Sequence, residues 1–269
     1  MSANSSWRER AALRTHGRRL LPALLLWIGA ATGVQAETAL VAVATNFAPA
    51  LDALAAEFAA ATPHRIRSVS GSTGKLYAQI ERGAPFDVLL AADARRPALL
   101  EAQGRFAVAQ TRFTYALGRL VLWSREPIAP EANLAAELSG ARRLALANPR
   151  LAPYGLAATQ TLASLGLSGA LAPRLVYGEN VGQAHALAST GNASHVLTAR
   201  ALAHGASLPV PVTLHEPIRQ DAILLARGAA NPAARAWLAY LRGAAGRACI
   251  RAHGYDVPER SEAERVPAA

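Results

Sequence analysis

Along this chain, short apolar runs alternate with stretches whose apolar residues recur at helical spacing. Residues 40–44 are an unbroken apolar run, the pattern of a strand buried on both faces. Next, Leu51, Leu54, Ala55 and Phe58 fall at i, i+3, i+4 and i+7, which predicts a helix over 49–61 with Pro49 in its first turn. Residues 65–70 read as a strand, 75–82 as a helix stopped by Gly83, 86–91 as an apolar strand, and 97–103 as a helix closed by Gly104. A strand over 120–124 opens a second series: helix 134–138, strand 144–147, helix 155–165, strand 175–177, helix 181–189. A strand over 222–226 follows, then a helix capped by Asn231 with Pro232 at its first position, and a last helix ending at Gly254. Strand–helix alternation of this kind predicts an α/β fold with a mostly parallel sheet. Two series joined by extended segments near 119–124 and 221–226 predict two lobes that close on a cleft. The first holds 37–118 with 226–258, and the second holds 119–225.

Three polar loops stand where strands hand over to helices: VAVATNFAPALDAL through Thr45 and Asn46, RSVSGSTGKLYAQI through Ser72 and Thr73, and LALANPRLAPYGLAA through Tyr154. The first N–H groups of a helix have no partner within it and carry the positive end of its dipole. Three such ends, supplemented by hydroxyl and amide donors, can hold an anion without a charged side chain. In open α/β sheets ligands bind at the carboxyl ends of strands, where all three loops sit.

Composition changes the picture at the N-terminus. Arg8, Arg10, Arg14, Arg18 and Arg19 precede an apolar stretch over 20–31, and Val34-Gln35-Ala36 supplies a small residue at the end. This is the pattern of an export signal, residues 1–36, too short for a confident membrane span. Its removal takes five arginines and one glutamate and lowers the formal charge from +10 to +6. The remaining arginines are scattered, without a basic stripe or interleaved aromatics, which argues against nucleic acid. Cys249 is the only cysteine, so an internal disulfide and a cysteine metal site are excluded. Residues 259–269 are polar and charged and read as a flexible tail.

Candidate chemistry is sparse. GSTGK at 71–75 is not a nucleotide loop: Val69 stands where the first glycine belongs and Leu76 where Ser or Thr must follow the lysine. It reads as a Gly-rich turn in which Thr73 caps a helix. Ser72 lacks the surroundings of a nucleophile elbow, and the histidines show no metal-ligand spacing. Asp87 and Asp93 lie at opposite ends of a strand, and Asp93 suits a helix cap. No catalytic set, metal site or cofactor is expected, and an α/β hydrolase is the alternative class this disfavours.

VAVATNF, GSTGKLYAQIERGAPFDVLLAAD, LVLWS, the NP…PYG and YGENV segments and the terminal IRAHGYDVP resemble the periplasmic molybdate-binding proteins of ABC importers, over about residues 39–258. The resemblance implies a two-lobed, type II-like periplasmic binding fold with the ligand cleft between the lobes. It implies a monomer that binds molybdate or tungstate for delivery to the permease subunits of an ABC importer. Another oxyanion such as sulfate is the alternative ligand. It further implies that the anion is held by hydroxyls and main-chain amides at Thr45, Asn46, Thr73 with Ser72 adjacent, Tyr154 and Val181. The chain departs from the pattern at 194–200, where a tyrosine used by another branch is absent.

Overall fold

The computed structural model describes residues 35–259. The expected export signal and tail lie almost wholly outside the described residues. The chain opens with β1 (Thr38–Ala44), a 3₁₀ turn (Thr45–Phe47), α1 (Ala48–Ala61), β2 (Arg65–Gly71), α2 (Thr73–Glu81), β3 (Val88–Leu90), α3 (Arg95–Gln103) and β4 (Phe113–Gly118). A second series runs β5 (Leu120–Ser124), α4 (Leu134–Gly140), β6 (Leu144–Ala147), α5 (Pro153–Ser164), α6 (Ser168–Leu171), β7 (Leu175–Gly178), α7 (Val181–Ser189), β8 (His195–Ala199) and β9 (Leu208–Pro209). The chain ends with β10 (Ile218–Leu224), α8 (Pro232–Arg242) and α9 (Ala244–Ala252).

Two five-stranded sheets result, ordered β2-β1-β3-β10-β4 and β7-β6-β8-β5-β9. The apolar run of β1 serves both faces of the first. Ala39, Val41 and Val43 pack with Leu51, Leu54, Phe58 and Trp237, from α1 and α8. Ala42 turns the other way, onto Leu76, Ile80 and Leu100 of α2 and α3. Burial of each such large side chain contributes roughly 1.5–3 kcal/mol. β2 lies at the sheet edge with most of its residues exposed, which is why its sequence reads as polar. The second sheet has its own core, centred on Leu144, Leu146, Val196 and Leu197 with alanines of α5 and α7. Local signals hold where they were strong. Asn231 Oδ1 accepts from the N–H groups of Ala233 (2.9 Å) and Ala234 (3.4 Å), capping α8. Gly104 ends α3 with φ +69°.

Three expectations are corrected. The sheets are mixed: β10 runs antiparallel to β3 and β4, and β5 runs antiparallel to β8 and β9. The strand expected over 222–226 is β10, and it pairs in the first sheet from Ile218 onward. The second lobe therefore ends before 218, not at 225, and residues 221–224 are core strand, followed by a 3₁₀ turn from Ala226, not a crossover. β5 likewise belongs to the second sheet, so only Arg119 lies between the sheets on the outward path. The return path runs through His215, Glu216 and Pro217. β4 and β8 were missed as strands. β4 mixes aromatic and small residues, and β8 carries His195 and Thr198 within its apolar run.

Candidate functional site

Parallel pairing puts the carboxyl ends of β1, β2 and β3 side by side: Ala44 lies opposite Gly71, and Val43 opposite Leu90. In the second sheet the ends of β6 and β7 meet at Ala147 and Gly178. The chain leaves four of these ends into helical turns, starting at Thr45, Thr73, Pro153 and Val181. Their first residues surround one small cavity of about 10 Å³, lined by Thr45, Asn46, Ser72, Thr73, Tyr154 and Val181 together with Ala44, Gly71, Ala92, Ala152, Pro153 and Asn180. All six residues singled out from the sequence are therefore brought together. Clefts for drug-sized ligands enclose about 300–1,000 Å³, so this space is far too small for an organic ligand and is on the scale of a compact ion.

No lining residue is charged. The turns at Thr45, Thr73 and Pro153 have no side-chain cap, which leaves their positive ends to the cavity. The fourth helix, α7, is capped by Asn180, whose Oδ1 accepts from Gln183 N–H at 2.9 Å. Thr45 Oγ1 and Ser72 Oγ are buried without any hydrogen-bond partner. An unmatched buried hydroxyl costs about 1–3 kcal/mol, so two facing one cavity mark a place built for an acceptor. The remaining side chains divide differently from the sequence reading. Thr73 Oγ1 accepts from Ala92 N–H (3.0 Å), so it ties α2 to the end of β3. Asn46 Nδ2 donates to Gln220 Oε1 (2.8 Å) and to Tyr255 Oη (3.1 Å), behind the cavity. Tyr154 is buried, not solvent-tipped, and its Oη accepts from Gln220 Nε2 at 3.4 Å. Burial holds its phenol well above the usual range, so it stays a protonated donor.

The lobes touch around this cavity. Gly74 N–H donates to Leu151 C=O (2.9 Å), Arg96 Nη2 to Arg150 C=O (3.1 Å), and Lys75 Nζ pairs with Glu179 at 2.8 Å. At Gly182 a Cβ would lie 2.5 Å from Thr45 Cγ2, so α7 approaches the first lobe as closely as glycine permits. A larger, open depression shares Ala92 and Pro153 with the cavity and is bordered by Arg95, Arg96, Arg150 and Arg219. Arginines scattered in the sequence are thus gathered near the site, and although Asp93, paired with Arg96, and Glu216 share the same lining, the rim keeps a formal positive excess whose field favours anions. Segment 194–200, which departs from the family pattern, forms β8 and does not line the cavity.

Sequence reading missed Gln220, Tyr255 and Asn180. Asn180 followed by an apolar-periodic run is a readable cap signal; the other two carry no local signal. Chemically, the arrangement offers fixed neutral donors and helix ends to a small acceptor-rich ion. Among the described residues no group of three or more His, Cys, Asp or Glu side chains is placed to hold a metal.

The family model described as bacterial extracellular solute-binding protein matches residues 39–256. The chain is 43% identical over 246 residues to the molybdate-binding protein ModA of Azotobacter vinelandii, covering 87% of this chain and 97% of that protein. It is 39% identical over 237 residues to the molybdate-binding protein ModA of Rhodobacter capsulatus, covering 87% and 94%. The solved periplasmic molybdate-binding protein of A. vinelandii superposes with a TM-score of 0.78 at 39% identity, covering 82% of this chain and all of that one.

Proposed function

The chain belongs to the bacterial extracellular solute-binding proteins, and from that membership we propose that it captures molybdate, and also tungstate, and delivers it to the permease of an ABC importer. It is a binding protein, not an enzyme. The observation that carries the reading is the pair of unpartnered hydroxyls, Thr45 and Ser72, in an uncharged cavity at four helix starts. We place the protein in the periplasm, exported by cleavage after Ala36, and acting as a monomer.

The physics of release favours such a site. A dianion in a dry cavity must be matched by donors. Neutral donors supply the match while avoiding an ion pair that would hold the anion too tightly. Thr45 and Asn46 approach from the first lobe with Ser72 and Thr73. Tyr154 and the main-chain amide at Val181 approach from the second. The lobes close about Arg119 and the 215–217 segment, since those are where the chain passes between sheets. Sulfate offers the same acceptors but is smaller, so cavity size discriminates against it.

Calorimetric titration of the purified protein tests this. Molybdate and tungstate should bind at a 1:1 ratio, far more tightly than sulfate or phosphate, and should raise Tm because ligand favours the native closed state. Small-angle scattering on the same samples should show compaction. A response to sulfate with none to molybdate would overturn the ligand assignment.

A further inference from the structure

Behind the cavity lies a buried polar network that links the lobes. It involves Asn46, Tyr115, Tyr154, Gln220 and Tyr255, all at most 3% exposed. Its hydrogen bonds run in one direction. Tyr255 Oη donates to the Asn46 carbonyl (2.6 Å) and accepts from Asn46 Nδ2 (3.1 Å), which fixes the Asn46 amide. Asn46 Nδ2 also donates to Gln220 Oε1 (2.8 Å). Tyr115 Oη lies 3.3 Å from the same oxygen and 3.1 Å from the Ala91 carbonyl. Asn46 Nδ2 is a fixed donor on one side of the Gln220 amide, so the amide oxygen must face it and the NH₂ must face away. What it meets there is Tyr154 Oη, at 3.4 Å across the lobe boundary. Reversing any amide would set donor against donor, at the cost of a buried unsatisfied group.

We infer that Gln220 is a positioning residue that sets the direction of the Tyr154 hydroxyl, filling its acceptor side so that its proton is presented to the bound oxyanion. Among the described residues the Tyr154 oxygen accepts this bond and its proton has no acceptor. Gly118, at the end of β4, leaves the space: a Cβ there would collide with both Tyr154 Oη and Gln220 Nε2. The register skips at this point, with Gln220 opposite Ala116 and Asp221 opposite Thr114, so Tyr115 is the extra residue of a bulge that crowds the network together. One consequence is chemical selectivity. With its acceptor side filled, Tyr154 cannot accept the proton of a hydrogen-bearing oxyanion such as hydrogen phosphate.

The inference rests on the reading of the cavity as an oxyanion site, and a double-mutant cycle separates the two. Molybdate affinity is measured for the parent, Gln220→Glu, Tyr154→Phe and the double variant, with apo melts as a check on folding. If the parent binds no molybdate, the functional reading fails and takes this inference with it. If it binds, Gln220→Glu should lower affinity at least about tenfold, because a carboxylate draws the Tyr154 proton to itself. In the Tyr154→Phe background the same change should lose most of that effect. The preference for molybdate over hydrogen phosphate should narrow in Gln220→Glu. Additive effects of the two changes would point to simple charge repulsion or a structural role and would overturn the inference, as would parent-like affinity in Gln220→Glu. Should the buried carboxylate prevent folding, Gln220→Met removes the same donor without charge and must show the same coupling to Tyr154.

Discussion

Ser72 and Thr73 are neighbours with the same functional group, yet the structure gives them different work. Ser72 Oγ is buried with nothing to bond, whereas Thr73 Oγ1 already holds the Ala92 N–H at 3.0 Å. Removing each hydroxyl should therefore separate affinity from stability. Ser72→Ala should weaken oxyanion binding by about 1.5–3 kcal/mol, the range for a hydrogen bond to a charged group, and leave apo stability nearly unchanged. Thr73→Ala strands a buried N–H and should lower apo stability by about 1–3 kcal/mol. Calorimetry and urea melts on both variants check the split; equal effects on both quantities would contradict it. Cys249 is buried and unpaired, and its thiol is pushed up to about 11 by burial and by Glu57, so it is chemically quiet.

At the scale of elements, the site depends on how closely helix starts can approach one another. α7 enters against the first lobe at Gly182, where a Cβ would sit 2.5 Å from Thr45 Cγ2. Threonine is branched at Cβ and cannot swing aside freely. Gly182→Ala should therefore hold the lobes apart and lower molybdate affinity by about 1–3 kcal/mol, the usual range for overpacking. The same change favours the helix itself by up to about 1 kcal/mol. The apo protein should melt no earlier than the parent while its ligand-induced rise in Tm shrinks. An early-melting variant with parent-like affinity would show that the contact is structural and not part of closure.

The whole molecule couples its two lobes through buried phenols, and that makes alkaline stability a report on the fold. Tyr115, Tyr154 and Tyr255 are buried, and burial raises each phenol above its ordinary range. In the unfolded chain they ionise near pH 10. Below that pH both states hold the same protons and these groups add no pH dependence. Above it only the unfolded chain releases them, so stability falls as pH rises. Three such groups together give a slope of roughly 4 kcal/mol per pH unit once the unfolded phenols are ionised. Melts between about pH 8 and pH 11 should be level at first and then drop. Tyrosinate absorbance from these three of the six tyrosines should appear only with unfolding. Ionisation of all six before the melt would place the network in contact with solvent.

The sequence by itself determined what depends on neighbours a few residues away. Hydrophobic period located α1, α5 and α7 and the strands β5, β6 and β7, because a buried face repeats along its own element. Cap chemistry located Asn231, because a helix start must satisfy its own N–H groups; the turns at Thr45, Ser72 and Tyr154 were legible as polar residues at strand ends, although no side chain caps them. Tertiary structure alone decided which strands share a sheet. Only the end of β10 reads as an apolar strand, and nothing local says that it pairs with β3 and β4 and returns the chain to the first lobe. It alone decided, too, which hydroxyl is free, since Thr73 is occupied by the N–H of Ala92, just beyond the end of β3. Gln220 and Tyr255 were invisible for the same reason. Their partner Asn46 lies 174 and 209 residues away, and a hydrogen bond over that separation exists only once the chain has folded.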